Sequence, residues 1–285
     1  MIEKPVLDKK EFLKLTKLAD VCYKYDGFSA RMYWNIIKER AMPGKHDYFY
    51  LVNKQIVAYL ASFIFKKGEA EITAMVHPNY RRQGIFKKLL KKARSDLKNE
   101  NLDKIIFICP HQATVIISYL EKLGAKLDHS ELVMKLQTVP DSMMEIPNLN
   151  LESAERSELM KLVDLHVKCF PDPVDRTARR FVDGFIQPNR KIYKLILHGD
   201  MVGKVHVRWD QDRPFLHDLC ITPSEQNKNY GQWMVQKIIK ILKDQGYHKI
   251  YLEVLADNEP AKRLYEKTGF IVTDHFDYLF KGVKS

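Results

Sequence analysis

Cysteine is scarce in this chain: Cys22, Cys109, Cys169 and Cys220 are the four, and they stand far apart. That spacing excludes both a disulfide framework and the paired thiols of a zinc site, and it reads as reduced, mostly buried thiols. No apolar run approaches the roughly 18–20 residues that a membrane span needs. The opening Met1-Ile2-Glu3-Lys4-Pro5 carries no charged-then-apolar export signal. A soluble protein located in the cytoplasm, without membrane partners, is the resulting expectation. His-Glu-x-x-His, Gly-x-Ser-x-Gly and Walker-type loops are all missing, and the ten histidines do not pair at metal-ligand spacing. No metal is expected.

What is present fits two ordinary globular cores. The 285 residues are 45% hydrophobic and 29% charged, enough for two domains of about 140 residues each. The net charge of +11 is uneven, since residues 1–140 hold 25 Lys and Arg against 15 Asp and Glu while the remainder is nearly balanced. A basic first half attracts polyanions, whether nucleic acid, anionic lipid or a phosphorylated cofactor.

The order of elements runs twice along the chain. In the first half, amphipathic helices over about 9–24 and 27–40 precede extended runs at Tyr48–Val52, Ile56–Phe65 and Glu71–Val76. A helix opens at Gly84 with Ile85, Leu89, Ala93 and Leu97 on one face, then a strand Lys104–Cys109, a helix ending at Gly124 and an alternating strand through Met134. A polar, Pro-containing connection near Thr138–Asn150 reads as a linker. The second half repeats the pattern with helices over 155–169 and 175–186 and strands at Lys191–His198, Val202–Trp209 and Phe215–Ile221. It ends with a helix over 231–245, a strand Lys249–Leu255, a helix Glu259–Lys267 and a strand from Phe270. The expected division is 1–140 and 141–285, each half α+β.

Two strand-to-helix junctions carry the most specific signal: Val76-His77-Pro78-Asn79-Tyr80-Arg81-Arg82-Gln83-Gly84-Ile85-Phe86 and Ile221-Thr222-Pro223-Ser224-Glu225-Gln226-Asn227-Lys228-Asn229-Tyr230-Gly231. Free amides converging at a helix N-terminus suit a pyrophosphate. Both junctions resemble the acetyl-CoA loop of the GNAT N-acetyltransferase family, Val-x-Pro-x-x-[Arg/Gln]-x-x-Gly-x-[Gly/Ala]. The first has Phe86 where a small residue belongs. The second has Asn229 at a glycine position, and asparagine is the residue that best tolerates the left-handed backbone there. The alternative is a capped turn without a ligand.

The segment Asn258-Glu259-Pro260-Ala261-Lys262-Arg263-Leu264-Tyr265-Glu266-Lys267-Thr268-Gly269-Phe270 is similar to the GNAT Asn…Ala…Leu-Tyr-Glu-Lys-x-Gly-Phe stretch almost residue for residue. Asn258 and Tyr265 are seven apart, about two helical turns, and share a helix face. The resemblance implies that Asn258 holds the pantetheine arm or a water and that the Tyr265 hydroxyl protonates the departing CoA thiolate. An N-cap for Asn258 and an aromatic core position for Tyr265 are the structural alternatives. Aligning Gly124 with Gly269 puts Leu120 at the place of Tyr265 and Ala113 at that of Asn258.

The strand Leu216-His217-Asp218-Leu219-Cys220-Ile221 resembles the GNAT fourth strand, whose backbone pairs with pantetheine and polarises the thioester carbonyl, with Cys220 and Ile221 at that contact. His217 occupies the place of the acidic residue of polyamine-acetylating relatives, and the first half has Ile72 there. Asp218 and Glu253 rival it as the base.

The resemblance thus implies two tandem GNAT domains, each a mixed, mostly antiparallel sheet flanked by helices. Acetyl-CoA would be cosubstrate and a small amine the acceptor, with chemistry in the later domain through Tyr265 and His217. Its cofactor contacts would be Cys220, Ile221, Thr222, Gln226, Asn227, Lys228, Asn229, Tyr230, Gly231, Gln232 and Asn258. Val76, Arg81, Arg82, Gln83, Gly84, Ile85 and Phe86 are the counterparts in the earlier domain. The helix carrying Lys87, Lys88, Lys91, Lys92, Arg94 and Lys98 offers either a solvated face or contacts to the CoA 3′-phosphate. It lacks the interleaved aromatics of a single-strand nucleic-acid site. A CoA-binding module without catalysis is the competing reading.

Overall fold

The computed structural model describes residues 2–3, 9–39, 46–139, 143–210 and 213–283. In chain order its elements are β1 (Ile2–Glu3), α1 (Lys9–Asp26), α2 (Trp34–Glu39), β2 (Asp47–Val52), β3 (Gln55–Lys66), β4 (Glu69–Val76), α3 (Ile85–Leu97), β5 (Lys104–Pro110), α4 (Thr114–Lys122) and β6 (Lys126–Leu136). There follow β7 (Leu149–Ser153), α5 (Leu159–Cys169), α6 (Val174–Ile186), β8 (Arg190–Leu197), β9 (Asp200–Asp210), β10 (Arg213–Ile221), α7 (Tyr230–Asp244), β11 (Tyr251–Leu255), α8 (Glu259–Lys267) and β12 (Phe270–Gly282). Among the described residues no helix is long and apolar enough to cross a membrane.

The chain gathers into two compact units, Met1–Glu131 with Asp274–Ser285, and Leu132–Thr273. The cuts between the units fall within β6, after Glu131, and within β12, after Thr273. In unit 1, β12 residues Phe276–Gly282 pair antiparallel with Pro110–Lys104 of β5, and Leu279 is buried in that core. In unit 2, the Leu136 amide donates to the Ile250 carbonyl, and Leu132, Met134 and Leu136 are buried with the apolar face of α7. Alternation tells which face a strand buries, not which neighbour it joins.

Each unit has a core on both faces of its sheet. In unit 1 the stripe Ile85, Leu89, Leu90, Ala93 and Leu97 of α3 packs on Tyr48, Leu60, Ile72 and Phe107. Leu15, Leu18, Cys22 and Ile37 cover Phe49, Tyr59 and Met75 on the other face. In unit 2, Met234, Val235, Ile238, Ile239 and Leu242 of α7 pack on Val205, Val207, Leu216 and Leu252, whereas only Leu162, Val163, Phe181 and Ile192 form the cluster under α5 and α6. That second face is left for polar groups.

The elements follow the periodicity of the sequence with two differences. The second helix covers only Trp34–Glu39 of the expected 27–40, whose last residue lies outside the described residues. The expected linker contains the start of β7 at Leu149, and its residues 140–142 also lie outside the described ones. Gly269 is fixed by close approach: at φ +92 its missing Cβ would stand 1.9 Å from the Thr138 carbonyl oxygen.

Phe276, Tyr278 and Leu279 are buried side chains of β12. Removing them from unit 1 forfeits about 1.5–3 kcal/mol each, a sum comparable to a whole domain's stability of about 5–15 kcal/mol. Residues 1–140 expressed alone should therefore show no cooperative thermal unfolding by circular dichroism. A sharp two-state melt of that fragment would contradict this dependence on β12.

Candidate active site

Both loop motifs have the backbone that their glycine and asparagine positions require. Arg82 and Gly84 lie at φ 62 and 74 in unit 1, and Asn227 and Asn229 at φ 62 and 63 in unit 2. Asn229 (φ 63, ψ 9) reproduces the left-handed conformation of Gly84 (φ 74, ψ 9), so the asparagine keeps the turn. Neither residue caps its helix with a side chain, which leaves the first amides of α3 and α7 available to an anion.

The strand end before each loop is braced in the same way twice. Gln226 Nε2 donates to the Ile221 carbonyl at 2.9 Å and the Cys169 thiol reaches it at 3.5 Å. Arg81 Nε donates to the Val76 carbonyl at 2.9 Å, with the Cys22 thiol at 3.5 Å. The remaining Arg81 nitrogens are held by Asp26 at 2.7 Å each, so that guanidinium is engaged within the protein. Lys228 pairs with Glu225 at 2.9 Å, and Gln83 Nε2 donates to the Asn79 carbonyl at 3.3 Å. Ile85 is buried; Phe86 lies edge-on to Tyr119 at 6.1 Å, while a Cβ on Gly231 would press on Leu264 at 3.0 Å. Tyr230 and Gln232 lie in the first turn of α7.

In unit 2, β10 and β11 are parallel and pair only at Phe215–Tyr251 and Leu216–Leu252, then part. His217 is the first residue beyond the pairing. On its other edge β10 remains joined to β9, through Cys220–Lys204 and Ile221–Gly203. The Thr222 amide donates to the Val202 carbonyl at 2.8 Å. Successive amides of a strand face opposite edges, so the Ile221 N–H faces the gap that β11 leaves. In unit 1, β4 and β5 pair from Glu69–Lys104 to Ile72–Phe107 and part there.

The face of unit 2 under α5 and α6 is polar at the same place. Lys204 and His206 point to this side, with Phe181 against both, while Val205 and Val207 enter the α7 core. Lys204 is fully buried, donates to the Asp218 carbonyl at 2.8 Å and sits over the rings of Phe170 and Phe181 at 5.6 and 5.2 Å. Register shifts between His217 and Cys220, and Asp218 takes φ 49 in that bulge. Its carboxylate lies 3.6 Å from His217 Nδ1, 3.7 Å from His206 Nδ1 and 3.3 Å from Arg180. Burial alone would raise the Asp218 carboxyl, but His217, His206 and Lys204 outweigh it and hold the group well below the usual range. Burial pushes His217 below the ordinary histidine value; Asp218 opposes this, and Arg208 and Arg190 add to it. Its Nε2 is buried without a hydrogen-bond partner.

Tyr265 is the buried residue of α8, and burial pushes its hydroxyl up to about 12, so it carries its proton through the physiological range. Asn258 caps α8, its Oδ1 accepting from the Ala261 amide at 3.2 Å. Leu120 of α4 is buried in unit 1.

Lys204, His206 and Arg180 were not among the expected site residues. The alternation Lys204-Val205-His206-Val207-Arg208 carried the signal, a polar face repeated every second residue opposite valines. Folding also gathers histidines that sequence spacing keeps apart: His206, His217 and Asp218, and in unit 1 His111, His275 and Asp277, each bring three potential ligand atoms within 4.8 Å. Lys204 and Arg180 beside the first group oppose a cation there. In the second, His111 and His275 stack at 3.9 Å and 12°, and both rings face Asp277, His111 Nδ1 at 2.9 Å and His275 Nε2 at 3.7 Å.

Comparison with known proteins identifies the family and the fold. The profile of the Acetyltransferase (GNAT) family matches residues 13–125 and again 159–270. The chain belongs to the GNAT family of acetyltransferases, which move an acetyl group from acetyl-CoA to amines. It is a tandem member, with two GNAT folds in one chain. A mycothiol acetyltransferase of Paenarthrobacter aurescens is 35% identical over 107 residues, 35% of this chain and 32% of the relative, so the match spans about a third of that relative's length. A GCN5-related N-acetyltransferase of Sphaerobacter thermophilus shares the fold with TM-score 0.82 at 14% identity, covering 99% of this chain and 95% of that one. A tandem GNAT protein from the clavulanic acid biosynthesis pathway shares it with TM-score 0.75 at 15% identity over 99% of both chains.

Lys204 fixes the bulge that presents Asp218. Lys204→Ala should cost about 2–4 kcal/mol in urea unfolding, from the cavity and the orphaned carbonyl, whereas Lys204→Met should cost under about 2 kcal/mol by refilling the stem. Equal costs for the two variants would contradict this role.

Proposed function

We propose that the protein transfers the acetyl group of acetyl-CoA to a primary amine by direct attack, with the chemistry in the later domain (expected as residues 141–285) and the earlier one (1–140) a non-catalytic companion. The observation that carries this reading is a substitution between the units: both part a pair of parallel strands beside a glycine- or asparagine-turned loop, but the two positions that the family resemblance makes proton acceptor and donor are titratable in unit 2 alone. His217 and Tyr265 stand where unit 1 has Ile72 and Leu120.

The residues of unit 2 fit a CoA thioester. The amides at 226–232 and the α7 N-terminus receive the diphosphate, and the gap edge of β10 supplies hydrogen-bonding groups to the pantetheine arm. The thioester supplies an activated acyl group. The Ile221 N–H is positioned to hold the developing oxyanion. His217, kept neutral by burial, accepts the proton of the attacking amine at a ring nitrogen, and Asp218 offsets the charge that results. Asp218 itself is occupied by Arg180 and its histidine neighbours, which favours His217 over it as base. Glu253 on β11 is the remaining rival. Tyr265 delivers its proton to the departing thiolate; its partial counterpart is Asn258, whose side chain already serves as a cap.

Tyr265→Phe should lower kcat by about 100-fold or more while acetyl-CoA affinity, read by calorimetry, stays within about threefold. Undiminished turnover would remove Tyr265 from the mechanism, and no turnover in the parent protein would favour a CoA-binding module. The His217 shift is downward, so kcat/KM should be flat above about pH 7 and fall as pH drops through a midpoint below about 6.5, where the base becomes protonated. A midpoint above pH 7.5, or one that survives His217→Ala, would contradict the assignment.

A further inference from the structure

Two arginines lie one and two strands away from the proposed base and have no acidic partner among the described residues. Arg190 of β8 and Arg208 of β9 stand directly opposite each other in the antiparallel register. Arg208 in turn stands opposite Phe215 of β10, with its guanidinium 5.5 Å from that ring. On the same face, the next row along is Ile192, His206 and His217. With strands about 4.8 Å apart and alternate residues about 6.8 Å apart, the Arg208 backbone is roughly 8 Å from that of His217.

Like charges directly opposite in a ladder destabilise it. The pairs around them do not relieve these two. Among the described residues Arg180 is held by Asp172 at 3.5 Å and Asp218 at 3.3 Å, and Arg213 by Asp210 at 3.6 Å, but neither Arg190 nor Arg208 has a carboxylate within ion-pair distance. Arg190 is half-buried and its Nε is enclosed without a hydrogen-bond partner. Asp183 of α6 and Asp218 contribute only through their fields. A half-buried, mutually repelling arginine pair with an enclosed donor is a receptor for an oxyanion, whose planar fork geometry matches guanidinium.

We infer that the acceptor amine carries an anionic group, a carboxylate or phosphate, which docks on Arg190 and Arg208 while the amine reaches His217. This rests on the acetyl-transfer reading and narrows its substrate to amino acids or phosphorylated amines. Simple polyamines are excluded, because a second ammonium would meet the arginines.

Matched acceptors test it: β-alanine against β-alaninamide, and O-phosphoethanolamine against ethanolamine, which separate carboxylate from phosphate. The anionic member of at least one pair should have the higher kcat/KM by about tenfold or more. Arg190→Gln and Arg208→Gln should reduce that preference below about threefold, and each lysine variant should restore part of it. Both glutamine variants should melt no lower than the parent, since they relieve repulsion; a purely structural pair would lose stability instead. Neutral members used as well as anionic ones, or a preference unchanged in the variants, overturns the inference while leaving the transferase intact. Turnover of none of the four would count against the transferase reading, and a second readout then decides this one. With CoA bound at saturation, inorganic phosphate should raise the melting temperature of the parent more than that of either glutamine variant; an equal rise overturns it.

Discussion

Everything at the site depends on β10 leaving β11 after two paired residues while staying joined to β9. A strand that parts from its neighbour exposes a row of amides and carbonyls, which is costly unless something else bonds to them. In unit 2 part of that need is met from within: Gln226 and Cys169 reach the Ile221 carbonyl, and Lys204 reaches that of Asp218. The Ile221 N–H is left facing the gap. A CoA arm can therefore complete the sheet as an added strand, and the proposed chemistry lies where the pairing stops.

Unit 1 repeats some of these features and lacks others. It repeats the parted strands, the left-handed turn, and the thiol and side-chain nitrogen on the last carbonyl of the strand. The proposed proton donor and acceptor of unit 2 have Leu120 and Ile72 as their counterparts, and Arg81 is closed off by Asp26. The brace stabilises the folded chain whether or not a substrate is bound, so it can be common to both units whatever chemistry each performs.

Much of this was legible in the sequence. Periodicity located nearly every helix and strand, the two loops identified the family, and Asn229 was readable as a left-handed residue because asparagine tolerates that backbone. Two things were not. The cut within β6 was hidden because Leu132, Met134 and Leu136 bury the same face whichever sheet they join. The cluster of Lys204, His206, Arg180 and Asp218 was hidden because it draws on three elements separated in sequence, and the bulge that turns Asp218 inward has no glycine to announce it. The alternation of charge with valine along β9 was visible but is also what any half-buried strand shows.

The central claim is that acyl transfer takes place in the gap between β10 and β11. A crystal structure of the protein with acetyl-CoA tests it most directly. The account expects the thioester in unit 2, its carbonyl oxygen within hydrogen-bond reach of the Ile221 amide and its sulfur near the Tyr265 hydroxyl. Electron density for the thioester between β4 and β5 alone, with the unit 2 gap closed by side chains, would contradict it.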